Sequence, residues 1–455
     1  MTATEQTLEI QPRQIGQRMQ PATSTRVAYI MSRFPKLTET FILYEILALE
    51  QQGVRVELYP LLRARNTALH PEGASLWKKL IERISTAPQT GVMHPEAAPL
   101  VERAHYQPLF SLGILRSQIH FLRRKPGVYL GALWTLLQAN WGSPNFFVGA
   151  LSIFPMTVYF AELMAADGVQ HVHAHFANHP AAAAFVVHRL TGIPYSFTAH
   201  GADLQVDQHM LREKVVEADF VVTISDYNKN LIAQVAGESY RDKVLVVHCG
   251  VDTEVFGFDE DGSRRSSGPF AILCTGTMYE VKGHTYLIEA CRLLKERRID
   301  FVCHLVGDGP DRAALAEQVE RSGLADRVLF HGQRTRGDLV ALLQEVHVVA
   351  VPSIPTTSGR REGIPVVLME AMASGTPVVA SGISGIPELV EDERSGLLVQ
   401  PRDPAALADA LERLHGDPAL RRRLGQAGRD KVVREFDLST NAAALAQRFS
   451  KEARR

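Results

Sequence analysis

The sequence predicts an α/β protein of two doubly wound, Rossmann-like domains facing each other across a cleft. Three observations carry that expectation. The chain has 455 residues, room for two domains of about 200 residues each. Short apolar runs of strand length alternate with helix-length segments in both halves, the order that builds parallel sheets with crossover helices. A polar, Gly- and Ser-rich stretch, Gly257–Gly268 (GFDEDGSRRSSG), interrupts the alternation and reads as an interdomain linker.

Residues 1–24 are polar, carry Glu5 and Glu9, and lack the basic-then-apolar order of a secretory signal, so a disordered tail is expected. The first domain, 25–256, opens with a strand at Arg26–Met31. A loop SRFPKLTET, a helix from about Phe41 to Gln52 that stops at Gly53, and a strand VRVELYP follow. Further strands are expected at Val169–His173, Tyr195–Thr198, Phe220–Ile224 and Lys243–Val247.

Within this domain, 103–166 reads as a helical insertion. No acidic residue occurs between Glu102 and Glu162, while Arg103, Arg116, Arg123, Arg124 and Lys125 accompany Trp134, Trp141 and several Leu and Phe. Basic, aromatic-rich amphipathic helices suit peripheral contact with an anionic membrane; the alternative is a helical cover for the sheet with a solvated basic face. The longest uncharged apolar stretch, Phe146–Ala161, contains Pro155 and falls short of the about 20 residues a spanning helix needs. No transmembrane segment is expected.

In the second domain, 269–430, the strands are FAILCTG, FVCHLVGDG, RVLFHG, HVVAVPS and PVVAS. Helices lie near His284–Glu296, Arg312–Ser322, Asp338–Gln344 and Pro365–Ser374. The last segment, 431–455, is expected to be a helix that can cross back to the first domain. Ligands of doubly wound sheets sit beyond the carboxyl ends of the strands, which places the site in the cleft.

Composition narrows the function. With 45% hydrophobic and 22% charged residues and a net charge of −1, the chain is an ordinary globular protein without a field to hold nucleic acid, so no DNA or RNA partner is expected. Cys249, Cys274, Cys291 and Cys303 show no C-x-x-C spacing and read as reduced thiols of a cytoplasmic protein that can associate with the inner face of the membrane.

The most informative segment is REGIPVVLMEAMASGTPVVA, Arg361 to Ala380. Pro365 suits the first turn of a helix, leaving the N–H groups of Gly363 and Ile364 at its start, and a helix N-terminus aimed into a cleft binds phosphate. Glu362 stands just before that terminus. Glu370 lies five residues past Pro365 on the same approach, about 7.5 Å along at 1.5 Å per residue. Two carboxylates flanking an anion site suit a diphosphate with hydroxyl-bearing groups on both sides, the shape of a nucleotide-sugar. The alternative is an ordinary helix with Glu362 favourable at its positive end and Glu370 solvated.

This segment is similar to the E-x7-E signature of family 4 retaining glycosyltransferases of GT-B architecture. KGH at Lys282, LVGDGP at Leu305, VPS at Val351, SGIPELV at Ser384, SGLLV at Ser395 and SFTAHGADL at Ser196 match the same family. FPKLTETFI together with GRREGIPV resembles its exopolysaccharide branch, of colanic-acid type. The resemblance implies retaining hexosyl transfer from a nucleoside diphosphate sugar, UDP-linked, to a glycan or polyprenyl-linked glycan acceptor, with no metal and no cofactor. It implies that Glu362 binds donor-sugar hydroxyls and that Gly363, Ile364 and Pro365 face the diphosphate. Glu370 would hold the ribose, Ser353 would line the donor site, and Lys282 would neutralise the leaving group. Such families place an arginine where Thr277 stands, a loss that Arg361 or Arg334 can offset. His200, beside Gly201 and Asp203 at a strand end, would stand against the reacting carbon of the donor sugar. Lys36, Thr38, Glu39 and Asp203 are candidate acceptor contacts, although Thr38 or Thr40 equally suits a helix cap. Two rivals remain: a catalytically silent sugar-nucleotide-binding partner of an assembly complex, and a glycan phosphorylase carrying pyridoxal phosphate on a lysine.

Other motifs carry less. His171, His173 and His175 alternate on a strand and would aim three imidazoles at one side, but no convergent acid is evident and no metal site is expected. Asp259-Glu260-Asp261 has the D-x-D form in the linker and reads as solvated charge. Gly307-Asp308-Gly309 lacks the third glycine of a dinucleotide fingerprint.

Overall fold

A computed structural model describes residues 25–35, 39–63, 95–107, 111–258 and 268–452. The expected tail, most of the linker including Asp259-Glu260-Asp261, and the acceptor candidates Lys36 and Thr38 lie outside the described residues.

The first sheet contains β1 (Arg26–Phe34), β2 (Arg55–Arg63), β3 (His171–His175), β4 (Tyr195–Ala199), β5 (Phe220–Thr223) and β6 (Val244–Val246), in the parallel order β2-β1-β3-β4-β5-β6. The second contains β7 (Phe270–Thr275), β8 (Phe301–Val306), β9 (Val328–Gly332), β10 (Val348–Val351), β11 (Val378–Ser381) and β12 (Leu397–Val399), in the parallel order β12-β11-β10-β7-β8-β9. Most of these strands are apolar runs because helices cover both faces of each sheet, β3 (HVHAH) being an exception. The winding reverses between β1 and β3 and again between β7 and β10. Loops leaving those strands in opposite directions open a crevice at each reversal, and the one between β7 and β10 holds the second-domain side of the site.

One face of the first sheet packs on helices 126–139, 144–166 and 179–191, through Leu136, Phe154, Val158, Phe160 and Phe185. The other packs on Thr40–Gln51 and Leu438–Glu452, through Ile42, Ile46, Leu445 and Phe449. In the second domain Leu287, Cys291, Leu411 and Leu414 line one face of the sheet, and Leu343, Leu368, Met372 and Val432 line the other.

The insertion comprises helices Ala98–Arg103, Leu112–Arg124, Pro126–Ala139 and Pro144–Ala166. In the last, Pro155 lies inside the helix rather than at an end. The helix runs 23 residues and is long and apolar enough, by length and composition, to cross a membrane. A proline removes one backbone bond and crowds the preceding turn. Here Ala150, Phe154, Val158 and Ala161, one face of the helix, stay buried in the core shared with the alanine-rich helix His179–Thr191. That burial on both sides of the proline outweighs the local cost.

The C-terminal boundary also shifts. Residues up to Glu435 belong to the second-domain helix Pro418–Glu435, and the returning helix is Leu438–Glu452. At the crossing, Val251 N–H donates to the Phe436 carbonyl at 2.9 Å and Leu438 N–H donates to the Val251 carbonyl at 3.1 Å. Phe449 then inserts among Tyr29, His171, His173 and Phe220 of the first sheet.

Candidate functional site

The second domain builds its side of the cleft from the loops after β7 and β10. Gly283 adopts φ +68°, and a Cβ there would fall 1.9 Å from the Pro352 carbonyl oxygen, so only glycine lets the KGH loop lie against the VPS loop. Ile354 N–H donates to the Val281 carbonyl at 2.9 Å and locks the two loops together. Between them Ser353 is fully buried, and its hydroxyl has no hydrogen-bond partner. The Lys282 stem runs over Gly276, and its Nζ lies 3.1 Å from Glu362 Oε1. Their side chains keep 22% and 16% exposure. Thr277 sits in the turn after β7, its carbonyl accepting from Tyr279 N–H at 2.8 Å.

Pro365 is the cap of the next helix rather than its first residue. Its ψ of 127° is extended, and Val366–Ala373 follows. Glu370 sits in that helix, and burial lifts its carboxyl to about 7, against the opposing pull of Arg336. Of the two arginines expected to offset Thr277, Arg361 Nη1 donates to the Tyr227 hydroxyl at 3.3 Å, and Arg334 is exposed beside His331.

The tip preceding Val366 meets the first domain directly. A Cβ on Gly363 would fall 2.5 Å from the His200 carbonyl oxygen and 3.0 Å from Ile224 Cδ1, and one on Gly201 would fall 3.3 Å from Gly363 Cα. The two glycines therefore set how closely the domains approach. Ile364 is buried in the same apolar cluster as Ile224.

Two expected roles on the first-domain side change. The His200 ring does not stand open to the cleft. It lies against Phe41 and Phe176, with Nε2 3.0 Å from His175 Nδ1 and Nδ1 3.8 Å from Cys249 Sγ. Burial, then the neighbouring His175, keeps it neutral by pushing its pKa well down. The part of His200 that faces Gly363 is its carbonyl. Asp203 is likewise a brace rather than an acceptor contact: Oδ1 accepts from His200 and Gly201 N–H at 3.0 and 2.8 Å, and Oδ2 accepts from Ala177 N–H at 2.6 Å. Glu39 is the cap residue of Thr40–Gln51 by backbone position, with no side-chain capping bond. Thr40 is the first helical residue, not the cap.

The three strand histidines share one side, as their alternation requires, and all are buried. An acid does converge on them: Glu45, from the first helix, lies with Oε1 3.2 Å from His175 Nε2 and accepts from the Tyr29 hydroxyl at 2.8 Å. Both His173 nitrogens are engaged, by Ser196 at 2.7 Å and Thr198 at 2.8 Å, and His175 Nδ1 is engaged by His200. The group is a hydrogen-bonded column beneath the His200 turn. In the second domain, Gly307 and Gly309 of the G-x-G pack against the backbone of Gly276 and Met278.

Sequence reasoning missed three further residues. Arg336 lies 4.1 Å over the Tyr44 ring of the first domain, near Asp252, and is the charge that Glu370 feels. Glu388, in SGIPELV, accepts from Asp226 and Tyr227 N–H at 2.7 and 2.8 Å, so a second-domain carboxylate closes the N-terminus of first-domain helix Asp226–Ala236. Asn228, fully buried, has both amide atoms without a partner, and its Nδ2 lies 3.5 Å from a Cβ placed on Gly201. Only Glu388 carried a sequence signal, its motif.

Residues 257–431 match the family described as Glycosyl transferases group 1, and residues 141–255 match Glycosyltransferase Family 4. The chain is 29% identical over 440 residues to the protein of Salmonella typhimurium named for colanic acid biosynthesis, glycosyltransferase WcaL, covering 93% of this chain and 99% of that one. It is 34% identical over 256 residues to the amylovoran biosynthesis glycosyltransferase AmsK of Erwinia amylovora, covering 54% and 61%. The crystal structure of Anabaena HepE in complex with UDP-glucose superposes with a TM-score of 0.66 at 17% identity, covering 93% of this chain and 99% of that one.

Proposed function

The chain belongs to glycosyltransferase family 4 and has the GT-B fold, and we propose that it transfers a hexose from a UDP-sugar, with retention, to a lipid-linked glycan in exopolysaccharide synthesis. The observation that carries this reading is the pairing of Lys282 with Glu362 beside the Gly363–Pro365 tip, opposite the His200–Gly201 turn. An ammonium and a tip rich in backbone amides suit a diphosphate, and Glu362 suits the hydroxyls of the sugar attached to it. The similarity to WcaL and AmsK supports the polysaccharide class, and the UDP-glucose bound by HepE supports the base and the sugar type.

In this reading the donor diphosphate takes over Lys282, and Glu362, released from its ion pair, accepts from sugar hydroxyls. Glu370 accepts from the ribose, with Arg336 held close by. As the bond from the anomeric carbon to the diphosphate oxygen breaks, charge gathers on the leaving group where Lys282 and the helix start already point. The acceptor oxygen attacks from the same face and its proton passes to the departing phosphate oxygen, which gives retention without a carboxylate base and without a metal. The His200 carbonyl, rather than its ring, lines the donor-sugar side. The free thiols, of which Cys274, Cys291 and Cys303 are buried, suit a reducing cytoplasmic compartment.

The test is a panel of nucleotide-sugars screened by thermal stabilisation, since a ligand that binds only the folded state raises its melting temperature. The donor found is then followed by NMR at the anomeric carbon with a polyprenyl-linked acceptor. A UDP-sugar that stabilises and yields a product of unchanged anomeric configuration supports the reading. Stabilisation without transfer to any acceptor returns the silent binding partner.

A further inference from the structure

The four most exposed large apolar side chains among the described residues all lie in the helical insertion: Leu112 at 86%, Trp141 at 75%, Trp134 at 67% and Val148 at 60%. Their spacing is not scattered. On Leu112–Arg124 the exposed apolar residues are Leu112, Leu115, Ile119 and Leu122, a stripe at helical period, while Ile114, Ser117 and Phe121 face the core. Further exposed apolar residues are Leu130 and Trp134 on Pro126–Ala139, Trp141 in the turn that follows, and Val148 and Leu151 on Pro144–Ala166. These helices are thus apolar on the side that faces away from the sheet as well as on the side that covers it.

The charge that the helices present on this face is basic, with Glu162 at its edge, bonded to Ser117 and 4.0 Å from His120. No Asp or Glu occurs from residue 103 to 161, and Arg116, Arg123 and Arg124 stand exposed beside the stripe. An apolar face bordered by arginines and tryptophans complements a layer of anionic headgroups over acyl chains. We propose that the insertion is a peripheral membrane-docking face that lies on an anionic bilayer through Leu112, Leu115, Ile119, Trp134, Trp141 and Val148.

The face ends beside the cleft. A depression next in sequence to Trp141 is lined by Gly142, Ser143, Pro144, Gln205, Asp207 and His209. A Cβ on Gly359 would lie 3.9 Å from the Gln205 carbonyl oxygen at its far side. Docking goes beyond the transfer reaction and does not depend on which donor is used.

The test is flotation of the full chain with vesicles of equimolar phosphatidylglycerol and phosphatidylcholine, compared with phosphatidylcholine alone. The wild type is expected to float with the anionic vesicles and to be released by salt. The variant Leu115→Glu/Trp134→Glu/Val148→Glu, altered only at exposed positions, is expected to keep its circular dichroism and melting temperature and to lose roughly tenfold or more of the floated fraction. Arg116→Gln/Arg123→Gln/Arg124→Gln provides a second variant that keeps the apolar face and is expected to weaken flotation and flatten its salt dependence. Wild type left at the bottom of the gradient at low salt, or unchanged flotation of both variants, would overturn the proposal. So would a dimer that the glutamate variant converts to monomer, because a second copy would then be what covers the face.

Discussion

Lys282 Nζ rests 3.1 Å from Glu362 Oε1, so the cation expected to meet the donor diphosphate is held by the carboxylate expected to meet the donor sugar. The pair bridges the loop after β7 and the helix tip after β10. Partly exposed ion pairs contribute little to folding, about 0–1 kcal/mol, so removing either partner should affect turnover far more than stability. We expect Lys282→Ala to lower kcat/KM by roughly 100- to 1000-fold with a melting temperature close to wild type. Glu362→Gln should fall by a similar factor. Steady-state kinetics beside a thermal melt check this, and full turnover by Glu362→Gln would remove that residue from the site.

The approach of Gly363 to the first domain leaves no room for a methyl group. Gly363→Ala puts a Cβ 2.5 Å from the His200 carbonyl oxygen, a backbone atom that cannot swing away. Overpacking of this kind costs about 1–3 kcal/mol, here charged to the contact between domains rather than to either core. The expected outcome is a protein whose domains fold, whose radius of gyration by small-angle scattering increases, and whose kcat/KM collapses. Wild-type scattering and wild-type turnover together would show that the contact does not govern closure.

Glu370 should make donor binding depend on pH near neutrality. Its carboxyl is raised from 4.5 to about 7 by burial. A raised acid holds its proton in the folded state between those values, so its contribution to stability is full below about 4.5 and is lost as pH rises through about 7. Ribose hydroxyls favour the ionised acceptor, so the donor KM should rise as pH falls below 7. Glu370→Gln should flatten both profiles, read by melting temperature and by KM against pH. A wild-type KM independent of pH from 6 to 8 would refute the assignment.

Glu388 fastens the two halves through the N-terminus of Asp226–Ala236. Glu388→Ala removes a charged partner from two helix-start N–H groups, worth about 1 kcal/mol. The closed arrangement should be populated less. The expected signature is a raised donor KM with a smaller change in kcat, since the residue touches no substrate in the proposed complex. Partial recovery in Glu388→Gln would separate hydrogen bonding from charge.

What the sequence made legible is what local residue order decides. REGIPVVLME places two glutamates around a helix start whatever surrounds it, and K-G-H fixes a loop that only glycine can close against Pro352. The strands were visible as apolar runs, except β12, whose three residues carry too little pattern. The roles of Arg336, Glu45 and Asn228 were not legible, because each depends on a neighbour brought in from a distant segment. The same holds for His200: its place at the end of β4 was readable, but the direction of its ring is decided by Phe41 and Phe176 on other elements. The full length of the helix around Pro155 was not legible, because the face formed by Ala150, Phe154, Val158 and Ala161 is held by residues of other elements.

The polypeptide passes between its halves twice, once after Val251 and once at Phe436–Leu438, and the two passages are hydrogen-bonded to each other. A molecule joined by a single tether can slide or twist in many directions. One joined by two stretches of chain that bond to each other has fewer ways to move, as a door on paired pins. Gly363 and Gly201 meet where the two halves come together. Cutting away the terminal helix would remove one pin and strip Phe449 from the opposite half at the same stroke.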